Sequence, residues 1–339
     1  MSQDGIRAAV VGYGAAFNMG RHHVNAIRDT EGIDAVAVVD VDEERTAAAA
    51  EDWPEIHTFN SMEDLLDWDK FEVAVNVLPH HLHLPITAQC LKAGKHAIVE
   101  KPFTITIAEA TELIETAKEH GVVLTVHHNR RWDADFWTLK GLIERDAIGE
   151  VFNVEMWGGG YGKPSTTWWR SDKAISGGTF HDWGAHFIDW LLNVLPHRMV
   201  NVTGFFHNLV WHDVSNEDHV HAIIRFENGC SADVQQSTIA MVGRPMWRLL
   251  GSHGAILSDD RQFKVITPGD DGPHEQQVAT ERRPGPSFYE NFVAHVHDPD
   301  EVPLVVTPES ARRVIAVLEL AEKSSKTHVA ETVPYEFSG

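Results

Sequence analysis

Ile6-Arg7-Ala8-Ala9-Val10-Val11-Gly12-Tyr13-Gly14 is a short, mostly apolar run that breaks on two glycines. Continuous β-branched and small apolar residues are expected of a central parallel strand, which is buried on both faces. The residues from about Arg21 to Arg28 read as a helix, Ala35 to Val39 as a second strand, and Asp40 closes that strand. A helix rich in Ala and Glu, Glu43 to Glu51, comes next. Strand, glycine turn, helix, strand and acid form the context in which a glycine turn binds a dinucleotide. Gly12 permits the tight turn, and Gly14 lets the backbone approach a pyrophosphate resting on the helix N-terminus. The third glycine of the pattern falls on Phe17, and the next glycine is Gly20. The loop therefore reads as lengthened by about three residues, Phe17-Asn18-Met19, and its Ala16, Phe17 and Asn18 are candidates for cofactor contact. Asp40 is placed to accept hydrogen bonds from ribose hydroxyls. A carboxylate there repels a 2′-phosphate, and Val41 and Asp42 offer no cation, so NAD is favoured over NADP. Arg45, one helical turn on, is the contrary signal.

Outward from this start, further strands are expected at Val73 to Val77, His96 to Val99 and Val122 to Val126. At the end of the second of these stands Glu100-Lys101-Pro102. Ligands of open α/β sheets bind outside the carboxyl ends of the strands. A lysine delivered there faces a ligand, unless it is simply an exposed surface lysine. After His127-His128-Asn129-Arg130-Arg131-Trp132 the pattern changes. A helix over about Asp135 to Arg145 leads into alternating stretches at Val151–Gly158, Met199–Val210, His219–Phe226, Ser231–Thr238, Met246–Gly251 and Phe263–Thr267. Runs of strands with few helices between them indicate a large, mainly antiparallel open sheet. Asn228-Gly229 is a hairpin signal. The expected fold is an α/β Rossmann domain over residues 4–129 followed by an α+β domain over 130–339, with a last helix, Pro308 to Lys323, packed on the core.

Composition agrees. At 339 residues, two domains are the natural expectation. A net charge of -22 argues against nucleic acid and anionic membrane as partners, both being polyanions. No apolar stretch approaches the ~20 residues that span a bilayer. The N-terminus leads straight into a strand, with no signal peptide read there, and the expected location is cytoplasmic. Cys90 and Cys230 suggest no disulfide framework. Among the 22 histidines, His219 and His221 share a strand face, with His181 or His212 as candidates to join them. No Cys-x-x-Cys or His-Glu-x-x-His spacing is present, so no metal is expected.

A second motif is Gly177-Gly178-Thr179-Phe180-His181-Asp182-Trp183-Gly184-Ala185-His186-Phe187-Ile188-Asp189. On a helix, Asp182 and His186 share one face, and Asp189 joins them. Histidine exchanges protons near neutral pH, which suits it to acid–base work. Gly184 suggests close approach of a ligand or strand. The bland reading is an amphipathic helix with solvated or hydrogen-bonded His and Asp.

Glu100-Lys101-Pro102 after a strand, turn and helix, with Asp182-x-x-x-His186 downstream, resembles the Gfo/Idh/MocA family of oxidoreductases. The resemblance implies that Lys101 lies beside the nicotinamide and contacts the substrate oxygen, that His186 is the acid/base, and that Asp182 binds substrate. It implies that Leu78, Pro79 and His83 line the nicotinamide side, with Leu78 standing where a threonine is usual. Trp169 and Arg170 are then expected near the nicotinamide, and Glu100 belongs to the cofactor site. Asn129 and Arg131 are pocket candidates, and Asp189 a group that orients His186 from behind. The implied activity is an NAD-dependent dehydrogenase or reductase acting on a secondary alcohol or ketone of a sugar, polyol or inositol, in a homodimer or homotetramer formed through the second domain's sheet. Two other activities occur in the family: glycosidases that use NAD transiently, and non-catalytic sugar or nucleotide sensors.

Overall fold

A computed structural model describes residues 5–14, 18–260 and 262–336. Their contacts divide the chain into two units. One holds the residues up to His128 together with Gly285–Arg312; the other holds Asn129–Pro284 and the residues from Arg313 onward. The division after His128 lies one residue before the boundary read from the sequence. The segment 285–312, assigned above to the second domain, folds with the first instead. Its anchors explain why. The helix Phe288–His297 buries Phe288, Tyr289 and Phe292, and the Thr125 hydroxyl donates to the Val306 carbonyl at 2.7 Å.

In the first unit, the strands β1 (Ile6–Val11), β2 (Ile33–Val39), β3 (His57–Phe59), β4 (Val73–Asn76), β5 (His96–Val99) and β6 (Leu124–Val126) form one parallel sheet. Its order is β3-β2-β1-β4-β5-β6. The helices α1 (Met19–Arg28), α2 (Glu43–Asp52), α3 (Met62–Trp68), α4 (His83–Lys92) and α5 (Ile107–His120) make the crossovers. β1 pairs on both sides, so every residue in it but Arg7 is buried, as its composition required. Strand order reverses between β1 and β4, which marks the crevice where such sheets bind ligands. Local chemistry starts and stops these helices. Asp42 caps α2 through the Glu44 N–H, Thr106 and Glu109 form a reciprocal capping box on α5, and Gly121 ends α5 at φ 65°.

In the second unit, α6 (Ala134–Glu144) leads to β7 (Val151–Gly159), then α7 (Lys173–Ser176) and α8 (Ala185–Val194). The strands β8 (Met199–His207), β9 (His219–Phe226), β10 (Ser231–Ser237), β11 (Trp247–Gly251), β12 (Gly254–Asp259), β13 (Gln262–Thr267) and β14 (His274–Ala279) follow, and β15 (Glu331–Thr332) closes the edge. Among the described residues the sheet runs β14-β13-β12-β11-β7-β10-β9-β8-β15. It is antiparallel except where β10 pairs parallel with β7, so the sheet is mixed though mostly antiparallel. The helix Pro308–Thr327 buries Val314, Val317, Leu318 and Ala321. No described helix is long and apolar enough to cross a membrane. Both cysteines are free and buried.

Candidate active site

The glycine turn is built around contacts that admit no side chain. Gly12 has φ +100°, and a Cβ there would lie 2.1 Å from the Val77 carbonyl oxygen. Gly20, inside α1, supplies the close packing expected of the fingerprint's third glycine. A Cβ on it would meet Gly12 O at 2.4 Å and Tyr13 Cα at 2.8 Å. The longer loop has moved that glycine along the chain without losing its role. Asn18 is exposed and precedes α1 with φ 50°. Ala16 and Phe17 lie outside the described residues. Gly14 is exposed, with nothing within 4 Å of where its Cβ would be, and the first turn of α1 carries no acid. Asp40 Oδ2 accepts the Tyr13 N–H at 2.8 Å, and Oδ1 accepts the Asp42 N–H at 3.0 Å. The carboxylate therefore organises the turn. Exposed backbone before α1, a packed glycine crossing and an acid at the end of β2 fit a dinucleotide.

Lys101 directly follows Glu100 at the carboxyl end of β5 and is half-buried. The chain on either side of it is fastened. Glu100 Oε2 accepts the Lys101 N–H at 3.0 Å. His83 is fully buried, and its Nδ1 lies 2.8 Å from the carbonyl of Pro102 and 3.3 Å from that of Phe103. Its Nε2 lies 3.0 Å from the Leu78 carbonyl. Burial lowers the His83 pKa despite these carbonyls. His83 thus joins the Leu78-Pro79 loop to the segment after Lys101, with its ring turned to the protein's own backbone.

In the second unit, the helix holding the Asp182 and His186 pair is not uniform. Phe180–Gly184 forms a π-helical turn that passes into α8 at Ala185. Such turns are rare and often sit at functional sites. A Cβ on Gly184 would lie 2.2 Å from Phe180 Cδ2, so the Phe180 ring occupies the space that the missing side chain leaves. Arg170 lies over the rings of Trp169 and Trp168, 4.2 and 5.0 Å from their centroids, and its Nε is 3.7 Å from Asp182 Oδ1. Trp169, Arg170 and Asp182 therefore form one cluster. His186 is buried edge-on against Trp183, with centroids 5.6 Å apart, and Trp190 stacks beside it at 6.2 Å. Asp189, expected to orient this ring, has a further partner. It is buried in a forked ion pair with Arg131, another residue read above as a pocket candidate. Asn129 is half-buried at the start of the short 3-10 turn Asn129–Trp132.

Sequence reasoning missed a buried cluster behind Lys101. Glu100 Oε1 is 2.9 Å from His23 Nε2 and 2.7 Å from His127 Nδ1, and His23 Nδ1 is 2.6 Å from the Tyr289 hydroxyl. Burial pushes Glu100 up, but the charge and hydrogen bonds of His127 and His23 hold it well below the usual carboxylate range. Burial lowers His23 and raises Tyr289 well above its ordinary value. The periodicity of α1 contained a signal for His23, since Gly20, His23, Val24 and Ile27 form its buried stripe. Among the described residues, His23, Glu100 and His127 are also the group of possible metal ligands that lies close together; His219 and His221 belong to no such group. His221 pairs instead with Asp233 at 2.6 Å.

Residues 6–128 match the model of the oxidoreductase family with an NAD-binding Rossmann fold, and residues 136–257 match the GFO/IDH/MocA C-terminal domain. The chain is 35% identical over 186 residues to the uncharacterized oxidoreductase YdgJ of Escherichia coli (strain K12), covering 55% of this chain and 52% of that protein. It is 31% identical over 191 residues to scyllo-inositol 2-dehydrogenase (NADP(+)) IolW of Bacillus subtilis (strain 168), covering 56% and 52%. The matched region thus spans about half the length of these curated relatives. A crystal structure of an NAD-binding protein from Listeria innocua has a TM-score of 0.87 to this chain at 27% identity, covering 98% of each.

Proposed function

The chain belongs to the Gfo/Idh/MocA family of oxidoreductases, and on that premise we propose that it transfers hydride between NAD and a secondary alcohol or ketone of a sugar, polyol or inositol. The observation that carries this reading is Lys101, held at the carboxyl end of β5 with the chain fastened on both sides. Bound NAD supplies the hydride acceptor. Lys101 donates a hydrogen bond to the substrate oxygen and stabilises the negative charge that develops there. His186 takes the hydroxyl proton and releases it to solvent, so the alcohol loses one hydride and one proton as the carbonyl forms. Asp182 holds a neighbouring hydroxyl, and Trp169 with Arg170 serves the nicotinamide end. Leu78, Pro79 and Glu100 belong to the cofactor side, where His83 acts by bracing the loops. Asn129 contributes to the pocket, and Arg131 acts through Asp189.

The preference for NAD over NADP rests on Asp40, whose charge opposes a 2′-phosphate. Arg45, the cation in the following turn, lies 3.7 Å from Asp42. The substrate class is inferred from the family. The outer face of the second unit's sheet, where Phe205 and Ile223 are exposed, is assigned to contact with a second copy of the chain. Sedimentation as a monomer at working concentration would contradict that assignment. The activity is tested with a panel of inositols, sugars and sugar acids offered with NAD and with NADP, read as nicotinamide absorbance.

A further inference from the structure

Four elements of the first unit converge on one carboxylate. His23 comes from α1, which follows the glycine turn; Glu100 ends β5; His127 follows β6; Tyr289 lies on the helix Phe288–His297. His23 and His127 are buried with their rings 4.5 Å apart, and Phe288 meets the His127 ring edge-on at 4.7 Å. The hydrogens of this network can be assigned. Tyr289 keeps its proton, because burial and then Glu100 raise its pKa. Its hydroxyl therefore donates to His23 Nδ1, which places the His23 proton on Nε2, facing Glu100 Oε1. His127 Nδ1–H donates to the same oxygen, and the Lys101 N–H donates to the other. The ionised carboxylate thus accepts three N–H groups.

A metal ion is the rival occupant of this cluster. Zinc sits about 2.0–2.1 Å from imidazole nitrogen and replaces the proton on it. Here both nitrogens lie 2.7 and 2.9 Å from a single oxygen, which are hydrogen-bond separations, and each of these atoms already has a protein partner.

We propose that His23, Glu100, His127 and Tyr289 form a positioning clamp that fixes the backbone of Lys101 and ties it to the helix following the glycine turn. The clamp rests on the role given to Lys101 above. Glu100 holds the lysine from its amino side while His83 holds the Pro102 carbonyl on the other. The ammonium group then projects from backbone that cannot shift relative to α1. Misplacement of a reacting group by about 1 Å can cost on the order of a hundredfold in rate.

The test uses the full chain with the best substrate from the panel, comparing the wild type with Lys101→Ala, His127→Phe, His127→Asn and Glu100→Gln. Asparagine offers an N–H close to the position of histidine Nδ1; phenylalanine keeps the bulk and removes the donor. His127→Phe is expected to lower kcat by about 10–100-fold, with KM for NAD within about threefold of wild type, and His127→Asn to restore most of kcat. Should His127→Phe not fold, Glu100→Gln carries the same expectation, because its amide has one acceptor oxygen and cannot serve the Lys101 N–H on one side and the two histidine N–H groups on the other. A folded His127→Phe or Glu100→Gln protein with wild-type kcat overturns the clamp, as does failure of His127→Asn to improve on His127→Phe. Stoichiometric metal whose chelation abolishes turnover overturns it too. Unchanged turnover in Lys101→Ala would overturn the reading of Lys101 itself, and the clamp with it; loss in Lys101→Ala without loss in the clamp variants overturns the clamp alone.

Discussion

Arg131 grips Asp189 from two directions, with Nε 2.9 Å from one carboxylate oxygen and Nη2 2.6 Å from the other. Both side chains are buried, so removing either leaves its partner as a buried charge without its counterion. Arg131→Ala and Asp189→Ala are each expected to cost about 3–5 kcal/mol of stability. Replacing both by apolar residues of similar volume should cost less than either single change. Denaturant midpoints measure this, and a loss below about 1 kcal/mol for the single variants would return Arg131 to the list of groups free to meet a substrate.

Gly20 should be as sensitive as any residue of the glycine turn, although it lies within a helix. Its Cβ would stand 2.4 Å from the Gly12 carbonyl oxygen, so Gly20→Ala must push α1 away from the turn. The expected cost is about 1–3 kcal/mol, with a raised KM for NAD. Alanine is otherwise the better helix former, so a gain in melting temperature would mean that the crossing is looser than described.

Asp40 has two tasks that can be separated. Asp40→Asn keeps an oxygen that can accept the Tyr13 N–H but removes the charge, whereas Asp40→Ala removes both. Asparagine should mainly relax discrimination against NADP. Alanine should also weaken NAD binding about 10-fold or more, as expected for losing hydrogen bonds to a charged group. The ratio of kcat/KM for the two cofactors is the readout, and an unchanged ratio in both variants would remove Asp40 from the account.

Stability should fall on mild acidification. His23 and His83 are buried with lowered pKa values, and burial also lowers His96 and His219. Unfolded histidine takes up a proton below about pH 6.5, before these folded groups do. The unfolded state therefore binds more protons, and this share of stability is whole above about pH 6.5 and is lost as pH falls through the folded values. Glu100, also lowered, adds a second loss that begins only below the ordinary carboxylate range. Melting temperature measured from pH 7.5 to 5 should fall, and His23→Gln should flatten the slope. A slope unchanged by that substitution would contradict the assignment.

Much of the first unit was legible because its strands are short apolar runs punctuated by glycine and acid, as in Ile6–Val11 and Asp40. The second sheet was legible where one face is buried, as in His219–Phe226, whose even and odd residues alternate in burial. It was not legible at His274–Ala279, a mostly exposed edge strand with no apolar face, nor at Gly254–Asp259, which follows its neighbour through a turn of two residues. The same limit governs the site. Lys101, Asp182 and His186 occur in recognisable local strings. The His23, Glu100, His127 and Tyr289 cluster is assembled from residues as far as 266 positions apart, and local patterning carries no record of that distance. Asp189 shows the same limit, for its helical spacing gave no sign of the pair it makes with Arg131, 58 positions away.

The central claim is that Lys101 and His186 serve one hydride transfer. The most direct measurement is steady-state production of NADH at 340 nm, a wavelength characteristic of the reduced nicotinamide, with the best polyol of the panel, for wild type, Lys101→Ala and His186→Ala. Wild type should accumulate NADH in step with ketone, and each variant should lose about 100-fold or more in kcat while remaining folded. Wild-type turnover in either variant, or substrate consumption without net NADH, would contradict it.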